Sequence, residues 1–377
     1  MKLDRLVAGA DPQFSGIEVT GITADSRKVK PGYLFAALQG VAKDGREYIE
    51  AAIKAGAVAI LTDDRPGEWS VPSLCVAEPR LALAKASAVF YPSQPATVAA
   101  VTGTNGKSST VDFLRQMWTH MGRKAASMGT LGAIGPSGVI DLGHTTPDPV
   151  AIHETLDKLA REGVTHAAME ASSHGLSQYR LDGVKLAAGA FTNLTQDHLD
   201  YHPDFDDYRR AKMRLFSELL PSGAPAVINA DSPEREAFEA AAKASGLKPF
   251  TVGWRGDHLR IDEATPRGTG QDLNIQWTKA DGTEGEKLVH LPLIGEFQAL
   301  NALCAAGIAM ALGDPAEQVL DGLGTLKGVH GRLELVGQTT SKAPVFVDYA
   351  HTPDGLDVLL RAARPHVRGK MIVVFGC

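Results

Sequence analysis

The sequence is poor in cysteine and has no long apolar run, and each shortage excludes a class of protein. Its three cysteines, Cys75, Cys304 and Cys377, form no CxxC pair, and their odd number argues against a disulfide framework. The longest strongly apolar stretch, 302–312, is shorter than the roughly 20 residues that span a bilayer. We therefore expect a cytoplasmic protein with reduced thiols and no insertion into a membrane.

Basic residues are too few for a nucleic-acid-binding surface. Lysine and arginine number 38 against 44 acidic residues, which gives a net charge of -6, whereas such surfaces need an excess of positive charge. The remaining composition, 44% hydrophobic and 22% charged, is typical of globular proteins. With roughly 100 to 200 residues per domain, the chain predicts two or three domains.

Strands and helices alternate from residue 96 onward, and this alternation predicts an α/β fold with a parallel sheet. The predicted elements are strands at 96–102, 165–169, 187–191 and 226–229, and helices at 108–121, 208–220 and 297–312. Residues 255–290 are polar and irregular, with short strands such as 273–277. Near the end, a strand at 345–348, a helix at 353–363 and a strand at 371–375 predict one βαβ unit.

The most specific motif is VAAVTGTNGKSST at 98–110, where a predicted strand leads into a glycine-rich loop and a helix. Gly103 and Gly106 let backbone N–H groups approach a phosphate closely, and the helix N-terminus favours an anion. Lys107 can reach the outer phosphates of a nucleotide, and the Ser108 hydroxyl can bind Mg²⁺. A strict phosphate loop has one further glycine, but the register of strand, glycines and helix favours nucleotide binding over a chance turn.

Two more polar clusters follow predicted strands, and the carboxyl ends of parallel strands line a ligand crevice. Glu170 at one such end suits Mg²⁺, although a solvated acid is the simpler explanation of an isolated residue. His198 and His202 follow the next strand, where each can bind a metal, contact phosphate or form structural hydrogen bonds. Lys212 lies among three arginines, which indicates either a solvated basic face or a helix that faces an anion.

These blocks resemble the Mur ligase family of peptidoglycan synthesis. The ordered motifs that carry the resemblance are TGTNGKS at 102–108, MEASSHGLSQYR at 169–180, FTNLTQDHLDYH at 191–202 and YRRAKMRLF at 208–216. A further set resembles the members that add the third amino acid of the peptide: TADSR at 23–27, PGYLF at 31–35, TTPDP at 145–149 and DYAHTPD at 348–354. The resemblance covers almost the whole chain.

The resemblance implies three α/β domains. Residues 1–93 bind the UDP-linked substrate, 94–331 form a phosphate-loop ATPase with a parallel sheet, and 332–377 begin a Rossmann-like domain that binds the amino acid. It also implies that this last domain continues beyond Cys377. We therefore expect a truncated chain, and we expect a monomer.

The resemblance also implies site residues. The uridine end of the substrate contacts Ser26 and the backbone around Ala24, Val41, Ala42 and Lys43. The muramoyl-dipeptide part contacts His144, Thr145, Thr146, Ser172, Gln178 and Arg180. ATP binds at Gly103, Thr104, Asn105, Gly106, Lys107, Ser108, Ser109, Asn301 and Asp348. The catalytic residues are Lys107, Lys212, His198 and Arg332.

The implied cofactors are ATP, two Mg²⁺ ions and a carbamate on Lys212. Ser108 and Glu170 bind one metal ion, His198 binds the second, and Lys212 is the lysine that the family modifies with CO₂. An ammonium beside Mg²⁺ is repelled, whereas a neutral amine that has reacted with CO₂ becomes an anionic oxygen ligand.

The implied reaction is an ATP-dependent amide ligation in peptidoglycan precursor synthesis. ATP phosphorylates the D-glutamyl carboxylate of UDP-N-acetylmuramoyl-L-alanyl-D-glutamate, and an incoming amine, from meso-diaminopimelate rather than L-lysine, displaces the phosphate. Two alternatives stay open. One is another carbamyl-lysine ligase such as folylpolyglutamate synthase, and the other is a fragment that binds substrate without catalysis.

Overall fold

A computed structural model describes residues 1–7, 11–40, 44–63, 69–195, 201–278, 282–350 and 353–376. The strands, in chain order, are β1 (Gly21–Thr23), β2 (Tyr33–Ala36), β3 (Ala57–Thr62), β4 (Ser73–Cys75), β5 (Thr97–Thr102), β6 (Ala125–Gly129), β7 (Gly132–Gly135), β8 (Gly138–Ile140), β9 (His166–Glu170), β10 (Ala188–Phe191), β11 (Pro225–Asn229), β12 (Lys248–Gly253), β13 (Leu259–Arg267), β14 (Gly270–Thr278), β15 (Glu284–Leu291), β16 (Glu334–Gln338) and β17 (Pro344–Val347). The α-helices are α1 (Leu3–Leu6), α2 (Ile49–Lys54), α3 (Pro79–Phe90), α4 (Lys107–His120), α5 (Pro149–Arg161), α6 (Ser173–Ser177), α7 (Phe205–Arg214), α8 (Arg235–Ala244), α9 (Glu296–Ala311), α10 (Ala316–Leu323) and α11 (Pro353–Ala363). Short 3₁₀ turns lie at Pro12–Phe14, Ser26–Lys28, Gly45–Tyr48 and Arg364–His366.

The chain forms two compact units, and the first combines 1–95, 146–162 and 174–185. Its parallel sheet has the order β1-β2-β3-β4. Helices α3 and α5 pack together, and Val150 of α5 belongs to the same core as Leu34 and Leu83. The first 95 residues therefore complete their core with segments that follow much later in the chain. The predicted boundaries at 93 and 331 stay a prediction.

The second unit combines 96–145, 163–173 and 186–377. Its large sheet has the order β15-β14-β13-β12-β11-β10-β5-β9-β6-β7-β8, and the strands from β6 to β13 run parallel. Helices α4 and α9 cover it, with Phe113 and Trp118 fully buried. The predicted α/β class is confirmed, and the four predicted strands from 96 to 229 are correct to within one residue.

At 255–290 the predicted strand 273–277 lies within β14, but the prediction of a less regular stretch with only short strands was wrong. Strands β13, β14 and β15 form long antiparallel hairpins there. Leu273, Ile275 and Trp277 are buried, while the residues between them are half-buried. This alternation of apolar and polar residues is the signal of a strand with one buried face, and it was present in the sequence.

The predicted helix at 208–220 differs in its second half. The α-helix α7 ends at Arg214, and Leu215–Leu219 continues as a π-helix, in which the Leu220 N–H donates to the Leu215 carbonyl at 3.2 Å. Leu215 and Phe216 are both fully buried. The wider turn thus directs two consecutive apolar side chains into the core, a feature that helical periodicity alone does not predict.

The predicted strand at 371–375, and with it the βαβ unit, was wrong. Residues 371–376 belong to no helix or strand, and Ile372 and Phe375 are 85% and 80% exposed. Strand β17 pairs antiparallel with β16. An apolar run becomes a strand only when a neighbouring strand satisfies its backbone, and the two-stranded sheet offers none to this segment. Within the described residues, each helix is too short or too polar to cross a bilayer.

His153 on α5 is a buried histidine that makes stability depend on pH. It is 3% exposed, and its Nε2 lies 3.1 Å from the Asp182 carbonyl oxygen. Burial lowers the pKa of His153 below its ordinary value of 6.5, against an opposing effect of the Asp182 carbonyl. The folded protein therefore binds this proton less readily than the unfolded chain. Above pH 6.5, where His153 is neutral in both states, the free energy of unfolding carries no penalty from this residue. The free energy of unfolding then decreases as the pH falls from 6.5 towards the lower pKa that His153 has in the folded protein.

Replacing His153 with glutamine, whose amide can still donate to the Asp182 carbonyl, should reduce the acid sensitivity of the fold. In urea unfolding below about pH 6.5, the unfolding free energy of the wild type should fall faster than that of the variant, by up to about 1.4 kcal/mol per pH unit. The exposed His120→Gln is the matched control. Equal slopes for wild type and His153→Gln would contradict this assignment.

Candidate functional site

Three adjacent strands of the large sheet end at the same edge. Strand β5 lies between β9 and β10, with Val101 opposite Glu170 and Thr102 opposite Phe191. The three polar segments that follow these strands therefore emerge side by side at the carboxyl edge. The expectation that they share one edge of the sheet is confirmed.

The glycine-rich loop joins β5 to helix α4, which begins at Lys107. Gly103 has φ +149° and Gly106 has φ +87°, both in the region that favours glycine. A Cβ at Gly106 would overlap Oδ1 of Asn301. The first turn of a helix presents N–H groups that have no partner within the helix. The loop therefore combines close backbone approach with a helix N-terminus, the arrangement that binds a phosphate.

The turn after β10 holds this loop in place. The N–H groups of Thr104 and Asn105 donate to the carbonyl and to Oδ1 of Asn193 at 2.9 and 3.0 Å. Asn193 Nδ2 and Thr192 Oγ1 donate to the Asn105 carbonyl at 3.1 and 2.6 Å. Sequence reasoning did not single out Thr192 or Asn193, although both lie in the quoted motif at 191–202. Their role depends on register between strands that are far apart in sequence.

Replacing Asn193 with alanine should weaken ATP binding about tenfold, because the two hydrogen bonds that its side chain makes to the Asn105 backbone are lost. Calorimetric titration of the variant with ATP is the measurement. The matched control is Asn274→Ala on β14. Wild-type ATP affinity in Asn193→Ala would show that the loop keeps its form without this side chain.

Two lysine amines meet at one carbonyl of the loop. Lys107 Nζ donates to the carbonyls of Gly103 and Thr104 at 2.9 and 2.7 Å. Lys212 Nζ donates to the same Gly103 carbonyl at 2.7 Å and lies 4.5 Å from the centroid of the Tyr208 ring. Lys212 is 1% exposed, which excludes the solvated basic face that its sequence neighbours allowed. Its helix α7 thus presents a buried amine to the phosphate loop.

Glu170 is also buried, at 2% exposure, and is therefore not a solvated acid at a strand end. Its Oε1 accepts hydrogen bonds from Ser108 Oγ at 2.9 Å and from the Thr130 N–H at 2.8 Å. Thr130 Oγ1 in turn lies 3.0 Å from Thr145 Oγ1. Thr130 thus connects the predicted metal ligand to a predicted substrate residue, and no motif in the sequence indicated it.

The Ser108–Glu170 pair fits a magnesium ion. Adjacent oxygen ligands of octahedral Mg²⁺, each about 2.1 Å from the metal, lie about 3.0 Å apart. The distance between Ser108 Oγ and Glu170 Oε1 is 2.9 Å. In the described part of the chain, no group of three or more His, Cys, Asp or Glu residues forms a metal site. His198, the predicted ligand of a second ion, lies outside the described residues.

His202 forms a hydrogen-bond contact with Asp207 of helix α7. It is 1% exposed, and its Nδ1 lies 2.8 Å from Asp207 Oδ2. The hydrogen bond from His202 is the main cause of the lowered pKa of Asp207. Of the interpretations that the sequence left open for His202, this contact supports the structural one.

Asn301 and the residues near 332 form a second side of the loop. Asn301 Nδ2 donates to Gln298 Oε1 at 3.2 Å, and Gln298 Nε2 donates to the Arg332 carbonyl at 2.9 Å. Asp348 accepts hydrogen bonds from two backbone N–H groups, both at 2.7 Å. The Arg332 guanidinium lies 5.6 Å from the centroid of the Tyr349 ring. Asn301 therefore contacts the loop directly, whereas Arg332 and Asp348 are connected to it through Gln298.

The first unit holds several of the predicted substrate residues. Arg180 donates to the Thr146 carbonyl at 2.6 Å and to Gln178 Oε1 at 2.8 Å, which brings these three residues together. Ser26 begins a 3₁₀ turn capped by Asp25, and hydrogen bonding from Arg27 lowers the pKa of Asp25 to about 2.

For three of the other predicted substrate residues, only the degree of burial is described. Ala24 and Ser172 are half-buried, and His144 is exposed. Val41, Ala42 and Lys43 lie outside the described residues.

Three family models match the chain. They are the Mur ligase middle domain at 101–309, the Mur ligase family catalytic domain at 18–101, and the Mur ligase glutamate ligase domain at 331–377. The first of them alone covers more than half of the chain.

Curated relatives match over nearly the full length. The UDP-N-acetylmuramoyl-L-alanyl-D-glutamate--2,6-diaminopimelate ligase of Bradyrhizobium diazoefficiens is 50% identical over 100% of this chain and 78% of its own. The ligase of the same name from Mesorhizobium japonicum is 51% identical over 96% of this chain and 74% of its own.

Solved structures agree with these relatives. A structure of a ligase with that name superposes with a TM-score of 0.83 at 29% identity, over 97% of this chain and 74% of the other. Mycobacterium tuberculosis folylpolyglutamate synthase complexed with ADP reaches a TM-score of 0.61 at 20% identity, over 75% and 69%; this likeness shows the fold alone. Given the matching middle domain and relatives about half identical along the chain, this protein belongs to the Mur ligase family.

Proposed function

We propose that the chain is an ATP-dependent ligase that joins 2,6-diaminopimelate to UDP-N-acetylmuramoyl-L-alanyl-D-glutamate in peptidoglycan precursor synthesis. The observation that carries the proposal is the identity of 50% along the whole chain to a relative with that name. The phosphate loop with its two converging amines supports the ATP-dependent part.

ATP would bind with its phosphates on the loop from Gly103 to Ser109. Lys107 is proposed to bind the outer phosphates, and the position of its amine at the Gly103 and Thr104 carbonyls supports this role. The Asn301 side chain lies so close to Gly106 that no Cβ fits there, and this close packing would fix the start of helix α4. Arg332 and Asp348 are proposed to contact the nucleotide, as the family resemblance implies.

Ser108 and Glu170 would hold Mg²⁺. A bound Mg²⁺ ion would neutralise part of the negative charge of the ATP phosphates. Thr130 keeps Glu170 oriented by donating to Oε1. Because Glu170 is buried, its charge needs such partners to be stable. His198 is proposed, by resemblance, to bind a second ion.

Lys212 is proposed to react as the free amine with CO₂ to give a carbamate. The nitrogen of a carbamate keeps one hydrogen, so its hydrogen bond to the Gly103 carbonyl can persist. The two new oxygens would supply negative charge beside the loop, where an ammonium would be repelled by a metal ion. The Tyr208 ring stabilises the cation instead, so carbamate formation would compete with protonation.

The proposed reaction has two steps. The D-glutamyl side-chain carboxylate attacks the γ-phosphorus of ATP, which gives an acyl phosphate and ADP. The amine of diaminopimelate then attacks the acyl carbon, an amide forms, phosphate leaves and the amine loses a proton. Both steps depend on positioning and on charge neutralisation. We place the protein in the cytoplasm and expect it to act as a monomer.

The substrate contacts follow from the resemblance. The uridine end is assigned to Ser26, to the backbone around Ala24 and to residues 41–43. The muramoyl-dipeptide part is assigned to His144, Thr145, Thr146, Ser172, Gln178 and Arg180. The hydrogen bonds that join Thr146, Gln178 and Arg180 support a common role for those three.

A coupled assay tests the proposal. The protein is incubated with ATP, Mg²⁺, the UDP-muramoyl-dipeptide and either diaminopimelate or L-lysine, and the UDP-muramoyl-tripeptide is detected by mass spectrometry. Product with diaminopimelate, and little with L-lysine, is the expected result. Thermal stabilisation by the UDP-linked substrate without product would favour a chain that binds substrate but does not complete the reaction. Stabilisation by folate alone would favour the folylpolyglutamate alternative.

A further inference from the structure

Arg80, the second residue of helix α3, differs from Arg27 and Arg46 of the same unit in its partners. Arg27 and Arg46 each donate to a carboxylate, Asp25 and Asp44, at 2.8 and 2.6 Å. Arg80 donates to two neutral oxygens instead, the Gln39 carbonyl at 2.6 Å and Gln178 Oε1 at 3.5 Å. Among the described residues, Arg80 therefore has no carboxylate to neutralise it.

A second guanidinium shares one of these oxygens. Arg180 donates to the same Gln178 Oε1 at 2.8 Å, so one amide oxygen accepts from two cationic side chains. Two positive charges so close repel each other, and an anion bound at Arg80 would reduce that repulsion. Because Arg80 has no carboxylate partner among the described residues, it is the member of this pair that the charge argument assigns to an anion.

The two hydrogen-bond partners of Arg80, Gln39 and Gln178, belong to different parts of the expected substrate site. Gln39 forms an isolated bridge with Asp44, and in the sequence these two residues flank residues 41–43, which are proposed for the uridine end. Gln178 and Arg180 are proposed for the muramoyl-dipeptide part. The Arg80 guanidinium is hydrogen-bonded both to Gln39 and to Gln178. In a UDP-linked substrate, the group that joins these two parts is the diphosphate.

We infer that Arg80 is a further substrate-binding residue and that its guanidinium binds the diphosphate of the UDP-linked substrate. The planar guanidinium donates in a fork that matches phosphate oxygens, which a lysine ammonium does not reproduce. This inference rests on the proposed function. The hydrogen bonds from Arg80 to Gln39 and Gln178 hold its guanidinium in position before the substrate binds.

Ligands of different length test the inference. Uridine, UDP and the UDP-muramoyl-dipeptide are titrated into the wild type, Arg80→Met, Arg80→Lys and the exposed control Arg5→Met. Arg80→Met should weaken UDP and the UDP-muramoyl-dipeptide about 10- to 100-fold and leave uridine within about twofold of the wild type. Arg80→Lys should give an intermediate loss. The KM for ATP should not change in either variant.

A purely structural role predicts a different pattern. If Arg80 only supported the backbone at Gln39, the affinities for uridine and UDP would fall by the same factor, and this result would overturn the inference. Unchanged UDP binding in Arg80→Met would overturn it as well. If Arg80→Met lowers the melting temperature, the UDP affinity of Arg80→Lys is the deciding measurement, because lysine keeps the charge and a similar length. The inference then requires that Arg80→Lys bind UDP more weakly than the wild type while binding uridine equally well. Failure of the wild type to bind the UDP-muramoyl-dipeptide would instead overturn the proposed function itself.

Discussion

Replacing Lys107 with methionine should lower kcat for ATP-dependent product formation by about 100- to 1,000-fold. Methionine has a similar length but no charge, so the variant keeps most of the packing and loses the cation over the phosphate loop. In the structure this amine lies against the Gly103 and Thr104 carbonyls, within the loop that the phosphates would occupy. Phosphoryl transfer depends chiefly on positioning and charge neutralisation, so the loss should appear in kcat as well as in the KM for ATP.

The measurement is the steady-state rate at saturating ATP and UDP-muramoyl-dipeptide. Lys124→Met, on an exposed residue of the same unit, is the matched control and should retain wild-type kinetics. A Lys107→Met enzyme within a factor of about ten of the wild type would contradict the role assigned to this amine.

Replacing Lys212 with arginine should be nearly as damaging as replacing it with methionine, with a loss of at least about 100-fold in kcat in both cases. Arginine keeps a positive charge but cannot form the carbamate, so equal losses separate the carbamate from a simple cation. Wild-type activity should also fall in CO₂-depleted buffer and return when bicarbonate is added. The return should be larger at higher pH, because CO₂ reacts only with the neutral amine.

Carbon-13 NMR of the protein in ¹³C-bicarbonate observes the modification directly, and Lys212→Arg should remove its signal. Lys243→Arg, on an exposed helix position paired with Glu239, is the control that should retain activity. If Lys212→Arg kept more than about a tenth of the wild-type rate, a carbamate on this residue would be ruled out as essential.

The sequence predicted the parts of the site that depend on local pattern. The strand before the phosphate loop, the start of α4 and the common edge that carries Glu170 all follow from periodicity and from the rules of parallel sheets. The burial of Glu170 and Lys212 did not follow, and composition favoured a solvated position for both. Their surroundings are built by residues far away in the chain, and only the assembled sheet brings these together.

The same limit explains the residues that were missed. Asn193 contacts the loop 88 residues before it, and Thr130 contacts Glu170 40 residues after it. The exposed segment at 371–376 shows the converse, because its apolar residues suit a strand but no neighbouring strand pairs with them. Local sequence determines which secondary structure a segment prefers, but a strand forms only where a neighbouring strand is available to pair with it.

The divided first unit has a consequence for synthesis on the ribosome. Its core needs helix α5 and the segment 174–185, so residues 1–95 cannot complete their packing when they first emerge. At about 5 to 20 residues per second, the ribosome needs roughly 5 to 18 s to add the stretch between residues 95 and 185. During that interval the side of α3 that packs against α5 in the folded protein stays uncovered, and exposed apolar surface of this kind is what chaperones bind.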